Sequence, residues 1–142
     1  MAQETVVKEQ LTQWAIFSGY SLTQQLLDTD FELVCSFWLY TSEPNEWRLI
    51  VSSPRVETEG TLESYERIRH IIRAADSSFN WSSYAITVLR PDAPVVRAIR
   101  SLGSFRLSEI ADTMRQTPAP KRVDLANLAG VFIEDAYIYF VR

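Results

Sequence analysis

The ten residues from Phe31 to Tyr40, Phe-Glu-Leu-Val-Cys-Ser-Phe-Trp-Leu-Tyr, constrain the fold of this chain more than any other stretch. Alternation by two puts Phe31, Leu33, Cys35, Phe37 and Leu39 on one side, while Val34, Trp38 and Tyr40 keep the other side mostly apolar. A strand with two apolar faces has to be covered on both, which places it inside a sheet with helices above and below. Thr41 to Glu46, containing Pro44-Asn45, is a short polar connection, and Trp47 to Ser53 reads as a second strand. A link this short joins neighbouring strands as an antiparallel hairpin.

The remaining segments supply the covering helices. Residues 4–17 read as a helix with Val7, Leu11, Trp14, Ala15 and Ser18 on one side. Gly19 is its expected stop, and Ser21 with Gln24 forms a capping-box pattern for a short second helix to Asp28. Pro54 ends the second strand, and a polar stretch to Gly60 leads into a helix from Leu62 to Ala75. Its inward stripe is Leu62, Tyr65, Ile68, Ile72 and Ala75; Glu63, Glu66, Arg67, His70 and Arg73 lie opposite. Glu63 stands four residues before Arg67, the favourable order for an exposed ion pair, and Asp76-Ser77-Ser78 closes the helix. Tyr84 to Leu89 is a third strand. A further helix starts with Asp92 as N-cap and Pro94 in the first turn, and it ends at Gly103. Val95, Val96, Ile99 and Leu102 point inward from it, Arg97 and Arg100 outward. Residues 104–116 fit either a strand from Phe105 or a helix from Ser108 to Arg115, and Thr117-Pro118-Ala119-Pro120 is a loop. Val131 to Val141 is strand-like, with Glu134-Asp135 as a tight turn between two pairing segments. The expected fold is one α/β domain of the α+β type over residues 1–142, with a mixed, mainly antiparallel sheet packed by helices.

Composition agrees with a domain that needs no staple. At 142 residues, 46% hydrophobic and 23% charged, the chain can bury an ordinary core without disulfides or metals. Cys35 is the single cysteine, so no intrachain disulfide forms, and a free thiol in an apolar segment suits a reducing compartment. Met1-Ala2-Gln3-Glu4 has neither the basic nor the apolar region of a secretory signal. The longest wholly apolar run, Ala136 to Val141, is far shorter than a membrane helix requires. The expected location is the cytoplasm, with no membrane partner. The net charge of −4 hides an asymmetry: residues 1–66 carry −8, with three Lys/Arg against eleven Asp/Glu, and residues 67–142 carry +4, with eleven against seven.

Catalytic and cofactor chemistry finds little footing. Cys35 and His70 are the only residues of their kind, but a nucleophilic thiolate needs a partly exposed, electropositive setting. Cys35 sits mid-strand as a small hydrophobe, and His70 sits on the polar face of its helix. No Gly-x-Ser-x-Gly elbow, phosphate-binding glycine loop or clustered zinc ligands occur, so no cofactor is implied. Asp28, Asp30 and Glu32 are the one acidic group with a spacing relevant to magnesium, and a strand entrance is also an ordinary place for solvated carboxylates.

Two resemblances to known architectures are carried by particular residues. Ala15, Gly19, Ser21 and Leu26 resemble the alanine, turn glycine, capping serine and apolar residue of a helix-turn-helix. The would-be recognition helix, Leu22 to Asp28, has no cation to neutralise phosphate, so a structural helix pair is expected instead of a DNA reader. Helix, strand hairpin, helix and strand over residues 5–90 loosely resemble the core of restriction-endonuclease-like folds. That resemblance implies an acidic-x-Lys pair on the second hairpin strand, whereas Arg48-Leu-Ile-Val-Ser-Ser53 has neither a carboxylate nor a lysine. It therefore implies a core without the catalytic motif.

Arginine is the remaining feature, supplying twelve of the fourteen cations. Arg67, Arg69, Arg73, Arg90, Arg97, Arg100 and Arg106 face only Asp76 and Asp92 within the same stretch. Guanidinium groups at this density bind carboxylate or phosphate, or else pair with Glu57, Glu59, Glu63 and Glu66. Arg90, Arg97, Arg100 and Arg106 are the candidate anion- or partner-binding residues. The expected function is a non-enzymatic cytoplasmic interaction or scaffold domain, of bacterial type and homodimeric, binding itself or another protein. Its acidic and basic halves would pair between copies, and Tyr137 to Val141 would serve an interface from a sheet edge. The alternative is an enzyme or a nucleic-acid- or anion-binding module in which the arginines of residues 67–106 converge with Asp30 and Glu32 in a concave site.

Overall fold

The computed structural model describes residues 10–74, 81, 85–107 and 120–142. A long helix, α1 (Gln13–Leu27), is followed by the hairpin β1 (Cys35–Ser42) and β2 (Asn45–Ser52). A short helix α2 (Arg55–Glu59) and the helix α3 (Thr61–Ala74) lead to β3 (Ala85–Leu89) and α4 (Pro94–Arg100). The chain then forms β4 (Phe105–Arg106), β5 (Lys121–Leu128) and β6 (Val131–Val141). The strands make one sheet in the order β3-β2-β1-β6-β4, with β5 also paired to β6. Among the described residues only the β2–β3 pairing is parallel; β1–β2, β1–β6, β4–β6 and β5–β6 are antiparallel. The expected mixed, mainly antiparallel α/β domain is the one observed.

Both faces of β1 are buried, as its sequence requires. Trp38 and Tyr40 join Leu22 and Leu26 of α1, Val56 of α2 and Ile68 of α3 in one core. Cys35 and Phe37 join Val96 and Ile99 of α4 in the other, with Ile133, Ala136 and Ile138 of β6. Strand β1 starts later than the alternation suggests. Glu32 has φ 58°, which breaks the extended run, so Phe31 and Leu33 turn into the α1 side instead of sharing the face of Cys35. The hairpin turn is Glu43-Pro44, joined by a cis peptide bond.

Helix α1 corrects the reading of residues 4–28. Thr12 is its N-cap, the hydroxyl accepting from the Ala15 N–H at 3.1 Å, and the helix runs unbroken through Gly19. There is no second helix at Ser21 and no helix-turn-helix. Gly19 is present for a packing reason. A Cβ built there would stand 2.6 Å from Trp38 Nε1 and 2.7 Å from the Tyr139 hydroxyl oxygen. Its missing side chain lets α1 settle onto the sheet where Trp38 Nε1 donates to Tyr139 Oη at 2.9 Å and Tyr139 Oη donates to the Ile16 carbonyl at 2.5 Å. Tyr139 reaches that position because β6 bulges beside it: Ser36 pairs with Phe140 but Phe37 pairs with Ile138, leaving Tyr139 as the extra residue. Trp14, expected on the buried side, is 52% exposed and stacks on Phe17.

Other boundaries differ for local reasons. The polar stretch after Pro54 holds α2, and Leu62 on α3 is exposed, with Ser64 and Ile68 facing the core. The N-cap of α4 is Ala93, Asp92 instead pairs with Arg90, and Pro94 occupies the first turn. Residues 105–106 are strand, which settles the near end of the ambiguous stretch. Strand β6 continues through Glu134-Asp135. The turn lies earlier, at Ala129-Gly130 with φ 50° and 83°, and it pairs β6 with the unexpected strand β5. Strand β6 is flanked by β1 on one side and by β4 and β5 on the other, so Tyr137 to Val141 is not a sheet edge. The helix expected over residues 4–9, the α3 closure at Ala75 to Ser78, Tyr84, the helix option at Ser108 to Arg115 and the loop at residues 117–119 lie outside the described residues.

Candidate functional site

Helix α4 presents two arginines because its other face is needed for the core. Val96, Ala98 and Ile99 are buried against the sheet, which leaves Arg97 and Arg100, three residues apart, pointing outward from the last turn. Cations there complement the partial negative charge of a helix C-terminus. The chain leaves α4 through Gly103 at φ 92°, a conformation open to glycine, and enters β4, where Phe105 pairs with Val141. That pairing brings Arg142, the residue after β6, to the end of α4. Arg100 Nε donates to the Arg142 carbonyl at 3.2 Å. Arg97, Arg100 and Arg142 line a shallow depression of about 410 Å³ with Ser101, Gly103 and Ser104, and among the described residues no Asp or Glu side chain lines it.

Arg55, Arg67, Arg69 and Arg90 are engaged with acids, chiefly those of the first half of the chain. Arg67 reaches Asp30 at 2.7 Å and Glu59 at 3.0 Å, and Arg55 reaches Glu59 at 2.7 Å, Asp30 at 3.5 Å and Glu32 at 3.9 Å. Hydrogen bonding and charge from Arg67, with further charge from Arg55, hold the Asp30 carboxyl below the usual aspartate range. Arg69 pairs with Glu66, and Arg90 lies 3.2 Å from both Glu57 and Asp92. The expected Glu63–Arg67 pair is replaced by these longer-range partners. Much of the charge asymmetry is thus spent inside one copy of the chain. Among the described residues, no Asp or Glu side chain partners Arg97, Arg100, Arg106 or Arg142 within ion-pair distance.

Of the four candidate residues, therefore, the structure brings Arg97 and Arg100 together and adds Arg142, which sequence reading missed. Arg90 is paired elsewhere. Arg106 lies directly across from Phe140, whose ring is in the α1-side core, so it belongs to the sheet face opposite α4. Asp30 shares a depression of about 380 Å³ with Glu63, Glu66, Arg67 and His70, over Leu26, Phe31 and Ile71. Asp30 and Glu32 do not meet the α4 arginines.

A second concavity, of about 400 Å³, lies on the same side of the sheet as α4, beside its first turn. Leu39, Val95, Val131 and Ile133 make it apolar, and Glu43 and Glu134 edge it. Glu134 is held in place by the backbone N–H of Ser42 at 2.6 Å and its hydroxyl at 2.7 Å. Neither glutamate has an ion-pair partner among the described residues.

The catalytic candidates are kept apart. Cys35 is fully buried on the α4 side, and burial pushes its thiol up to about 12. His70 is exposed on α3, across the sheet. Asp30 and Glu32 are faced by guanidinium groups, and no three His, Cys, Asp or Glu residues come together as a metal site among the described residues. No described helix is long and apolar enough to cross a membrane. No family model, curated protein or solved structure matches this chain, so the restriction-endonuclease resemblance has no support beyond the element order.

Proposed function

We propose that this chain is a non-enzymatic interaction domain of the cytoplasm whose contact residues are Arg97 and Arg100, with Arg142 beside them, and whose partner is a protein surface bearing carboxylates. The observation that carries this reading is the contrast among the arginines. Arg55, Arg67, Arg69 and Arg90 all have Asp or Glu side chains of their own chain, whereas the three at the end of α4 share an open depression lined, among the described residues, by no Asp or Glu. A guanidinium offers donors in a planar fork that fits a carboxylate with two parallel hydrogen bonds, each stronger than a neutral one. Two such groups three residues apart on one helix face give a partner a defined register. The buried, protonated Cys35 and its separation from His70 favour binding over covalent chemistry.

Fluorescence anisotropy with a labelled glutamate-rich peptide tests the proposal. The expected result is binding that weakens with added salt and falls roughly 10- to 100-fold in the Arg97→Glu/Arg100→Glu variant, the range for losing charge-assisted hydrogen bonds. An Arg90→Gln control keeps wild-type binding. Equal binding by the double variant, or no binding by the wild type at low salt at concentrations where it is monomeric, overturns the assignment. Tighter binding of single- or double-stranded nucleic acid than of the peptide transfers the surface to a phosphate backbone and also overturns it.

A further inference from the structure

The α4 face carries its own complement. Its cationic end is Arg97, Arg100 and Arg142; its other concavity is apolar within and edged by Glu43 and Glu134. An arginine side chain has the same two parts in one residue, an apolar stem and a charged fork. The stem suits a floor of Leu39, Val95 and Val131, and the fork suits the two glutamates, one of which is already held by Ser42. Within one copy the two sites share no lining residue, one lying beside the first turn of α4 and the other at its last turn.

We infer that the carboxylate-bearing partner is a second copy of this chain, packed α4 face to α4 face about a two-fold axis. This rests on the proposed role of Arg97 and Arg100. A two-fold axis makes each contact twice, with the arginines of one protomer entering the glutamate-edged groove of its partner and the reverse. Such an arrangement is satisfied by two copies and closes on itself, so it yields a dimer and not a filament. It also restores, on a specific face, the pairing of acidic and basic regions between copies.

Sedimentation velocity on the full chain, with charge swaps, tests this. The wild type is expected to be dimeric at low salt and to dissociate toward monomer at about 1 M salt, where the screening length is about 3 Å. Arg97→Glu/Arg100→Glu and, separately, Glu43→Arg each place like charges opposite one another, and each weakens self-association by about 100-fold. Mixing the two variants restores a dimer, because both of its contacts again join opposite charges. A wild type that stays monomeric at low salt while still binding the glutamate-rich peptide overturns the dimer and leaves the arginine assignment standing. Failure of both overturns both. A dimer that survives the Arg97→Glu/Arg100→Glu change, or a mixture of folded variants that stays monomeric, also refutes it. Circular dichroism of each variant confirms that it is folded.

Discussion

Replacing Gly19 by alanine sets two physical effects against each other with opposite signs. In a helix interior alanine is favoured over glycine by about 1 kcal/mol, so propensity alone predicts a more stable protein. Packing predicts the reverse. The new methyl would lie 2.6 Å from Trp38 Nε1, 2.7 Å from Tyr139 Oη and 2.9 Å from Tyr139 Cε2. None of these atoms is the loose end of an exposed chain. Trp38 and Tyr139 are buried, and Tyr139 is pinned by its donation to Ile16. Either α1 lifts from the sheet, an overpacking cost of about 1–3 kcal/mol, or the Trp38–Tyr139 bond opens and leaves a buried indole N–H unsatisfied for a similar cost of about 1–3 kcal/mol. Subtracting the propensity gain leaves Gly19→Ala destabilising by up to about 2 kcal/mol if one cost applies and by about 1–5 kcal/mol if both do. Urea unfolding followed by tryptophan fluorescence and circular dichroism measures this directly. At roughly 4 °C per kcal/mol for a domain of this size, the melting temperature falls by up to about 8 °C with one cost and by about 4–20 °C with both. A variant that is more stable than wild type by the propensity increment would refute the packing reasoning for α1.

Two further outcomes follow from the titratable groups. Asp30 has a folded pKa below its unfolded one, so its ion pairs add stability above the unfolded aspartate value, and that stability is lost as pH falls through the folded value. Carboxyl chemical shifts should place its titration below the ordinary range, and Arg67→Gln should raise it; an unchanged value in that variant would break the link to Arg67. Cys35, with its thiol pushed up to about 12 and fully buried, should resist a thiol-specific disulfide reagent at neutral pH and react fully in denaturant. Rapid labelling of the folded chain would contradict the burial.

The corrections share a cause. Phe31 and Leu33 have the spacing of one strand face, but Glu32 adopts a positive φ that local pattern does not reveal, and both side chains join the opposite core. Gly19 followed by Ser21 has the local signature of a stop and a restart. Its actual role is set by Trp38 and Tyr139, which are distant in the chain. Strand β5, largely exposed and polar, lacks the apolar alternation that marks a strand and exists because β6 offers it hydrogen bonds. Arg97 and Arg100 were visible as outward residues because Val96 and Ile99 define the inward face. Nothing in the local pattern of Arg142 links it to α4, since the contact depends on β4 closing against the end of β6. Likewise, the expectation that Glu134 stands in a turn concealed it as a groove residue.

What the sequence determined by itself is the layered α/β plan. A strand apolar on both faces cannot face water on either side, and periodicity supplies helices long enough to cover it. Charge counting also established the acidic and arginine-rich halves. Only the tertiary structure decided how those charges are used. Pairing energies fall off over a few ångströms, and the contacts join Asp30 to Arg67, Glu57 to Arg90 and α4 to Arg142 across long stretches of chain. Several of the arginines counted in the sequence are thereby paired within the domain, while Arg97, Arg100 and Arg142 are gathered at the end of α4.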